Sequence, residues 1–159
     1  MRTIGVDTGE RTSGDARGPT FAQRRRLALH GARRQVARGR AFAREALEDW
    51  GWVGQEASED ALLVVSELVT NANLHGGGCH ELLLRGGAAF RVEVYDGLGD
   101  LRRLAPGARL RTPGIPGGHG LLLVRRLADR WGAEAIAHGK VVWAEFDAER
   151  LWRPAPGHA

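Results

Sequence analysis

The sequence predicts an α+β fold, a two-layer sandwich whose mostly antiparallel mixed sheet is covered on one face by helices. Three observations carry this. Paired runs flank glycine turns at His80–Arg85 and Phe90–Asp96, and again at Ala133–His138 and Lys140–Phe146, which is the pattern of two hairpins. Longer stretches instead space their apolar residues at helical intervals. The helices follow or interrupt the hairpins, so the expected order is β-α-α-β-β-loop-α-β-β.

The chain has 159 residues, 43% of them hydrophobic, enough for one domain with a sizeable core. The segment 1–20 is rich in Gly, Thr, Ser, Asp and Arg and is expected to be disordered. Residues 21–148 form the expected domain and 149–159 a C-terminal tail. The one cysteine, Cys79, cannot form an internal disulfide, which fits a reducing compartment. No apolar run approaches the ~18 residues of a membrane span, and the N-terminus lacks the apolar stretch of a signal peptide. A cytoplasmic protein with no membrane association is expected.

The formal net charge is +4, and of 23 basic residues only Lys140 is lysine. There is no zinc-finger spacing, no aromatic RNA-binding signature and no clear helix-turn-helix. Direct binding to nucleic acid is therefore not expected. A basic surface that meets an acidic protein fits the charge better.

Arg24–Leu29 reads as a first strand. From Ala32 to Trp50 the residues Val36, Ala43, Leu47 and Trp50 recur at helical spacing, with arginines on the other face. A second helix runs from Ser58, the expected N-cap, to His75, and stops at Gly76–Gly78. The hairpin that follows ends its second strand with Phe90, Val92, Val94 and Asp96 on one face. Leu98–Gly117 carries four arginines and a glycine- and proline-rich end, and a loop of this length in a compact domain reads either as a functional lid or as a wrong assignment of its elements. Gly118–Trp131 is expected to be a third helix, followed by the last hairpin.

Glu67, Asn71 and His75 recur every four residues among the leucines and valines of the second helix. At about 100° per residue they lie on one face, a polar stripe that a packed core does not want. Glu67 suits a general base. Asn71 offers the kind of neutral oxygen that Mg²⁺ accepts alongside substrate phosphates. His75 is placed to touch a phosphate. Asp96 ends the apolar face of its strand, where a carboxylate needs a hydrogen-bonding partner; an adenine amine is a suitable one. Gly97 and Gly99 would let the backbone approach a flat base. Gly118, His119, Gly120 and Leu121 open the third helix, where free amides suit an anion. Together these residues point to a Mg²⁺–nucleotide site.

The segments ELVTNANLH (67–75), VEVYDGLGD (92–100), GGHGLLLVRRLADRWG (117–132) and GKVVWAEF (139–146) resemble, in this order, the histidine-kinase-like ATPase domain. Within that superfamily the chain is most similar to the stand-alone anti-sigma-factor serine/threonine kinases of actinobacteria. The resemblance implies ATP as cofactor, Mg²⁺ on Asn71, Glu67 as the base, Asp96 on the adenine, and Gly118 and Gly120 in the phosphate lid. It implies as partners a sigma factor and an anti-anti-sigma protein phosphorylated on serine or threonine, and it suggests a homodimer. The alternative is a protein-sequestering module that holds ATP without catalysis or has lost it. The family often has a threonine after Gly-Lys that supports the adenine contact; here Val141 stands in its place.

Overall fold

The structure, a computed structural model, describes residues 3–7, 21–52, 56–98 and 120–151. Its elements in chain order are β1 (Thr3–Asp7), β2 (Phe21–Ala28), α1 (Gln35–Asp49), α2 (Glu56–His75), β3 (Cys79–Gly87), β4 (Ala89–Asp96), α3 (Gly120–Leu127), β5 (Arg130–Ile136), β6 (Gly139–Asp147) and the short α4 (Ala148–Leu151). Six strands form one sheet in the order β1-β5-β6-β4-β3-β2. Every pairing is antiparallel. The α+β class and the two hairpins are therefore present, and the β4–β6 pairing joins the hairpins at the centre.

Alternation along the strands sorts the two faces of the sheet. Leu82, Leu84, Val92, Val94, Val142, Ala144 and Phe146 point to one side and join Ala43 and Leu47 of α1, Val65 and Val69 of α2, and Leu121 and Val124 of α3 in a single core. Helices thus cover this face only. The other face is polar and knits itself together. Glu93 receives Arg85 at 2.7 Å, and Glu145 receives Arg91 at 3.1 Å and Arg130 at 3.0 Å. Arg91 also lies 4.2 Å over the Trp143 ring. Cross-strand pairs of opposite charge stabilise an uncovered sheet face.

Three expectations differ from the structure. Thr3–Asp7, within the segment expected to be disordered, pairs with β5 over Asp7↔Arg130 to Thr3↔Glu134. The third helix was expected to reach Trp131 but ends at Leu127. Trp131 instead pairs with Ala144 in β5 and is fully buried. Asp129 fixes the switch by accepting the Asp147 amide at 2.8 Å and the Arg150 guanidinium at 3.0 Å. Gly132 follows, bare enough for the Trp143 ring to cross it; a Cβ there would sit 2.6 Å from that ring.

The third difference concerns Ser58. Helix α2 begins at Glu56, and the buried Ser58 hydroxyl donates to the Trp52 carbonyl at 2.8 Å. It ties the incoming chain to the helix rather than capping it. Ser58→Ala is expected to cost about 1–3 kcal/mol, because the Trp52 carbonyl loses its donor in a buried place. Urea denaturation of both proteins checks this through the shift in midpoint.

Candidate functional site

Helix α2 is continuous through residues 67–75, so its four-residue spacing places Glu67, Asn71 and His75 on successive turns of one face. Asn71 is buried, while Glu67 and His75 are half-buried. One oxygen of Glu67, Oε2, is shielded from water. The helix ends in an orderly way. The Gly76 and Gly78 amides both donate to the Ala72 carbonyl, and Asn73 accepts the Cys79 amide at 3.1 Å. Gly77 and Gly78 hold positive φ angles of 74° and 105°, which only glycine adopts freely. Asn73, off the polar stripe, is therefore a residue of the turn.

That turn delivers the end of the stripe to Asp96. A Cβ on Gly76 would fall 2.5 Å from both Cγ and Oδ2 of Asp96. The α2 backbone thus abuts the carboxylate that ends β4. Cys79, beside it in register with Asp96, is buried, and burial pushes its thiol up to about 11. It stays a neutral thiol and offers no nucleophile at ordinary pH. His80 lies on the outer side, its ring close to Gly97 and edge-on to His30 at 4.7 Å.

Asp96 is 2% exposed and already engaged. Its Oδ1 accepts the Leu98 amide at 3.0 Å, and its Oδ2 meets the Lys140 ammonium at 2.8 Å. Lys140 also donates to the Leu98 carbonyl at 3.0 Å. Burial holds the Asp96 carboxyl above the usual carboxylate range, against the opposing pull of Lys140 and of the Leu98 amide. A carboxylate has about four acceptor positions, so this one retains capacity for an amine.

The register corrects one inference from sequence. Asp96 pairs with Lys140, and Tyr95 pairs with Val141. Paired residues share a face, so Val141 lies with Tyr95 on the uncovered side of the sheet, across from Asp96. The missing hydroxyl at position 141 has no bearing on this site, and Lys140 is the β6 residue that reaches it. Sequence reading missed Lys140, Gly76 and Gly139. The available signal was the period-two pattern of β6: Val142, Ala144 and Phe146 face the core, and Lys140 continues their row.

Gly120 begins α3, and the Leu121 side chain is a core residue, 2% exposed. Gly97 is exposed next to Asp96. Gly99, Gly118 and His119 lie outside the described residues, as do residues 99–117 of the loop read as a lid. The structure therefore sets Glu67, Asn71 and His75 on one face of α2 and brings the turn that follows, at Gly76, against Asp96 and its neighbour Gly97.

This arrangement is compatible with a Mg²⁺-nucleotide. No group of three or more histidine, cysteine, aspartate or glutamate side chains among the described residues could hold a metal ion by itself. Mg²⁺ keeps waters and is held by one or two protein oxygens plus substrate phosphates. The Asn71 amide oxygen is the neutral donor such an ion accepts. The Asp96 carboxylate is an acceptor for an amine. Among the described residues no helix is long and apolar enough to cross a membrane.

A family model described as histidine kinase-like ATPase domain matches residues 30–146. The match takes in α1, α2, both hairpins and the polar stripe. Comparison with curated proteins finds no matching relative.

Proposed function

Because the chain belongs to the histidine kinase-like ATPase domain family, we propose that it is an ATP-binding regulator, and more narrowly an anti-sigma-factor kinase. In this reading it binds a sigma factor and phosphorylates a serine or threonine of an anti-anti-sigma protein. The observation that carries the nucleotide site is the close approach of Gly76 to Asp96. It brings the end of the helix that carries the polar stripe up to a buried carboxylate, which supports a base at Asp96 with phosphates along the stripe.

Each residue then has a task. Asp96 accepts the amine of the base. Asn71 lends its amide oxygen to Mg²⁺, and His75 at the helix end faces phosphate. Glu67 orients the acceptor hydroxyl and takes its proton at a carboxylate oxygen. When bound, Mg²⁺ neutralises phosphate charge, and the protein contributes mainly positioning and electrostatics. The backbone amides of Gly118 and Gly120 are assigned to the phosphates by the family resemblance alone.

A partner surface has support of its own. An open groove of about 800 Å³ lies between the start of α1 and α2, bordered by Arg34, Gln35, Arg40, Ser66 and Asn73. Two guanidinium groups at its rim suit an acidic protein surface. The alternative is a sequestering module that holds ATP without catalysis or has lost it; Val141, paired with Tyr95 on the face away from Asp96, lends it no weight.

The test is incubation with labelled ATP and candidate anti-anti-sigma proteins. Transfer of label to a serine or threonine of one of them is the expected result. Saturable ATP binding with no transfer to any candidate would favour the sequestering module.

A further inference from the structure

We propose that Lys140 reads the purine base, donating from its ammonium to ring nitrogen N1, next to the 6-amino group that Asp96 accepts. This deepens the nucleotide-binding reading and rests on it.

Lys140 is the one lysine among 23 basic residues, and it is 1% exposed. A buried ammonium must be paired and hydrogen-bonded. Its partners are Asp96 Oδ2 at 2.8 Å and the Leu98 carbonyl at 3.0 Å. An ammonium has three N–H donors and no acceptor, so these two contacts leave one donor. Asp96 likewise keeps acceptor positions beyond those that Leu98 and Lys140 fill. Acceptor and donor therefore stand side by side at the ends of neighbouring strands. Adenine presents the complementary pair on adjacent ring positions, a donor amine at position 6 and an acceptor nitrogen at position 1.

The surroundings favour a reading role over a purely structural one. A buried ion pair is a poor device for joining two strands, since well-packed apolar residues do this as well or better. Asp96 hangs from the last core-facing position of β4 and Lys140 from the first of β6, beyond the apolar row of Val94 and Val142. Backbone alone, at Gly76 and Gly139, packs against Asp96, and Gly97 and Leu98 beside the pair are exposed. Lysine also fits better than the arginine used elsewhere in the chain. Its compact ammonium can contact a carboxylate, a carbonyl and a ring nitrogen in three directions, whereas a guanidinium is a planar fork.

The test substitutes single atoms of the ligand. Binding of ATP, of 1-deaza-ATP (N1 replaced by C–H) and of purine riboside triphosphate (6-amino group absent) is measured by calorimetry on the full chain. Wild-type protein is expected to bind 1-deaza-ATP about 10-fold or more weakly than ATP, the loss of one charge-assisted hydrogen bond. In Lys140→Met that difference is expected to vanish, while the dependence on the 6-amino group remains. The wild-type comparison stands even where the variant folds poorly. Equal affinity of wild-type protein for ATP and 1-deaza-ATP would overturn the role of Lys140 and leave the nucleotide site intact. Failure of wild-type protein to bind ATP at all would overturn both.

Discussion

Glu67→Ala is expected to slow phosphate transfer by about 10²–10⁴-fold, the contribution of a positioned general base, while ATP affinity changes only slightly. The separation of the two effects follows from position. Glu67 stands two helical turns before His75, and the α2 end, not its middle, abuts Asp96. In the proposed function the base is held at Asp96, so removing Glu67 leaves that contact alone. Asn71 lies between Glu67 and His75, one turn from each, and keeps the amide oxygen proposed for Mg²⁺. The substitution also leaves the fold largely in place, because Glu67 is half-buried on a helix whose packing rests on Val64, Val65, Leu68 and Val69. Single-turnover transfer from labelled ATP, with calorimetric ATP titration of the same variant, gives the two quantities. A variant that loses binding and transfer together would place Glu67 in nucleotide binding rather than in proton transfer.

Gly139→Ala is expected to cost about 3–5 kcal/mol of stability, since overpacking and backbone strain act together. The added Cβ would lie 1.8 Å from the Asp96 carbonyl oxygen, 2.8 Å from the Asp96 carbonyl carbon and 3.0 Å from the Gly97 Cα. These are backbone atoms, which cannot swing aside. The φ of 154° at Gly139 is itself rarely adopted by residues with a side chain. Relief requires β6 to move away from β4, which parts Lys140 from Asp96 and leaves two buried charges unpaired. A fall in Tm of about 10 °C or more is expected for a domain of this size. Gly97→Ala is the instructive contrast. The neighbour there is the His80 ring at 2.9 Å, a side chain that can rotate, so the loss is expected to be smaller. Thermal unfolding followed by circular dichroism separates the two variants.

Much of this architecture is legible in the sequence because it rests on short-range patterns. The strands of both hairpins and the body of α2 follow from period two and helical spacing, and the Glu67–Asn71–His75 stripe follows from the same spacing. What was not legible depends on partners far along the chain. Thr3–Asp7 is too short to announce itself and becomes a strand through β5. Asp129 to Gly132 could continue a helix as far as local preference goes. The cross-strand partners Glu145, Ala144 and Trp143 decide otherwise. The site is half-legible for a different reason. Alternation along β4 points to Asp96, but only the β4–β6 register places Lys140 beside it and Val141 behind. Gly76 and Gly139 showed only as turn residues, because the nearness of Asp96 that makes them necessary is a tertiary fact.

The central claim is that the α2 stripe and Asp96 together form an ATP site. Calorimetric titration of ATP into the wild-type chain, with and without Mg²⁺, tests it most directly. Saturable binding is expected that strengthens when Mg²⁺ is present and is lost or greatly weakened in Asp96→Asn. No heat of binding under either condition, or equal binding by Asp96→Asn, would contradict it.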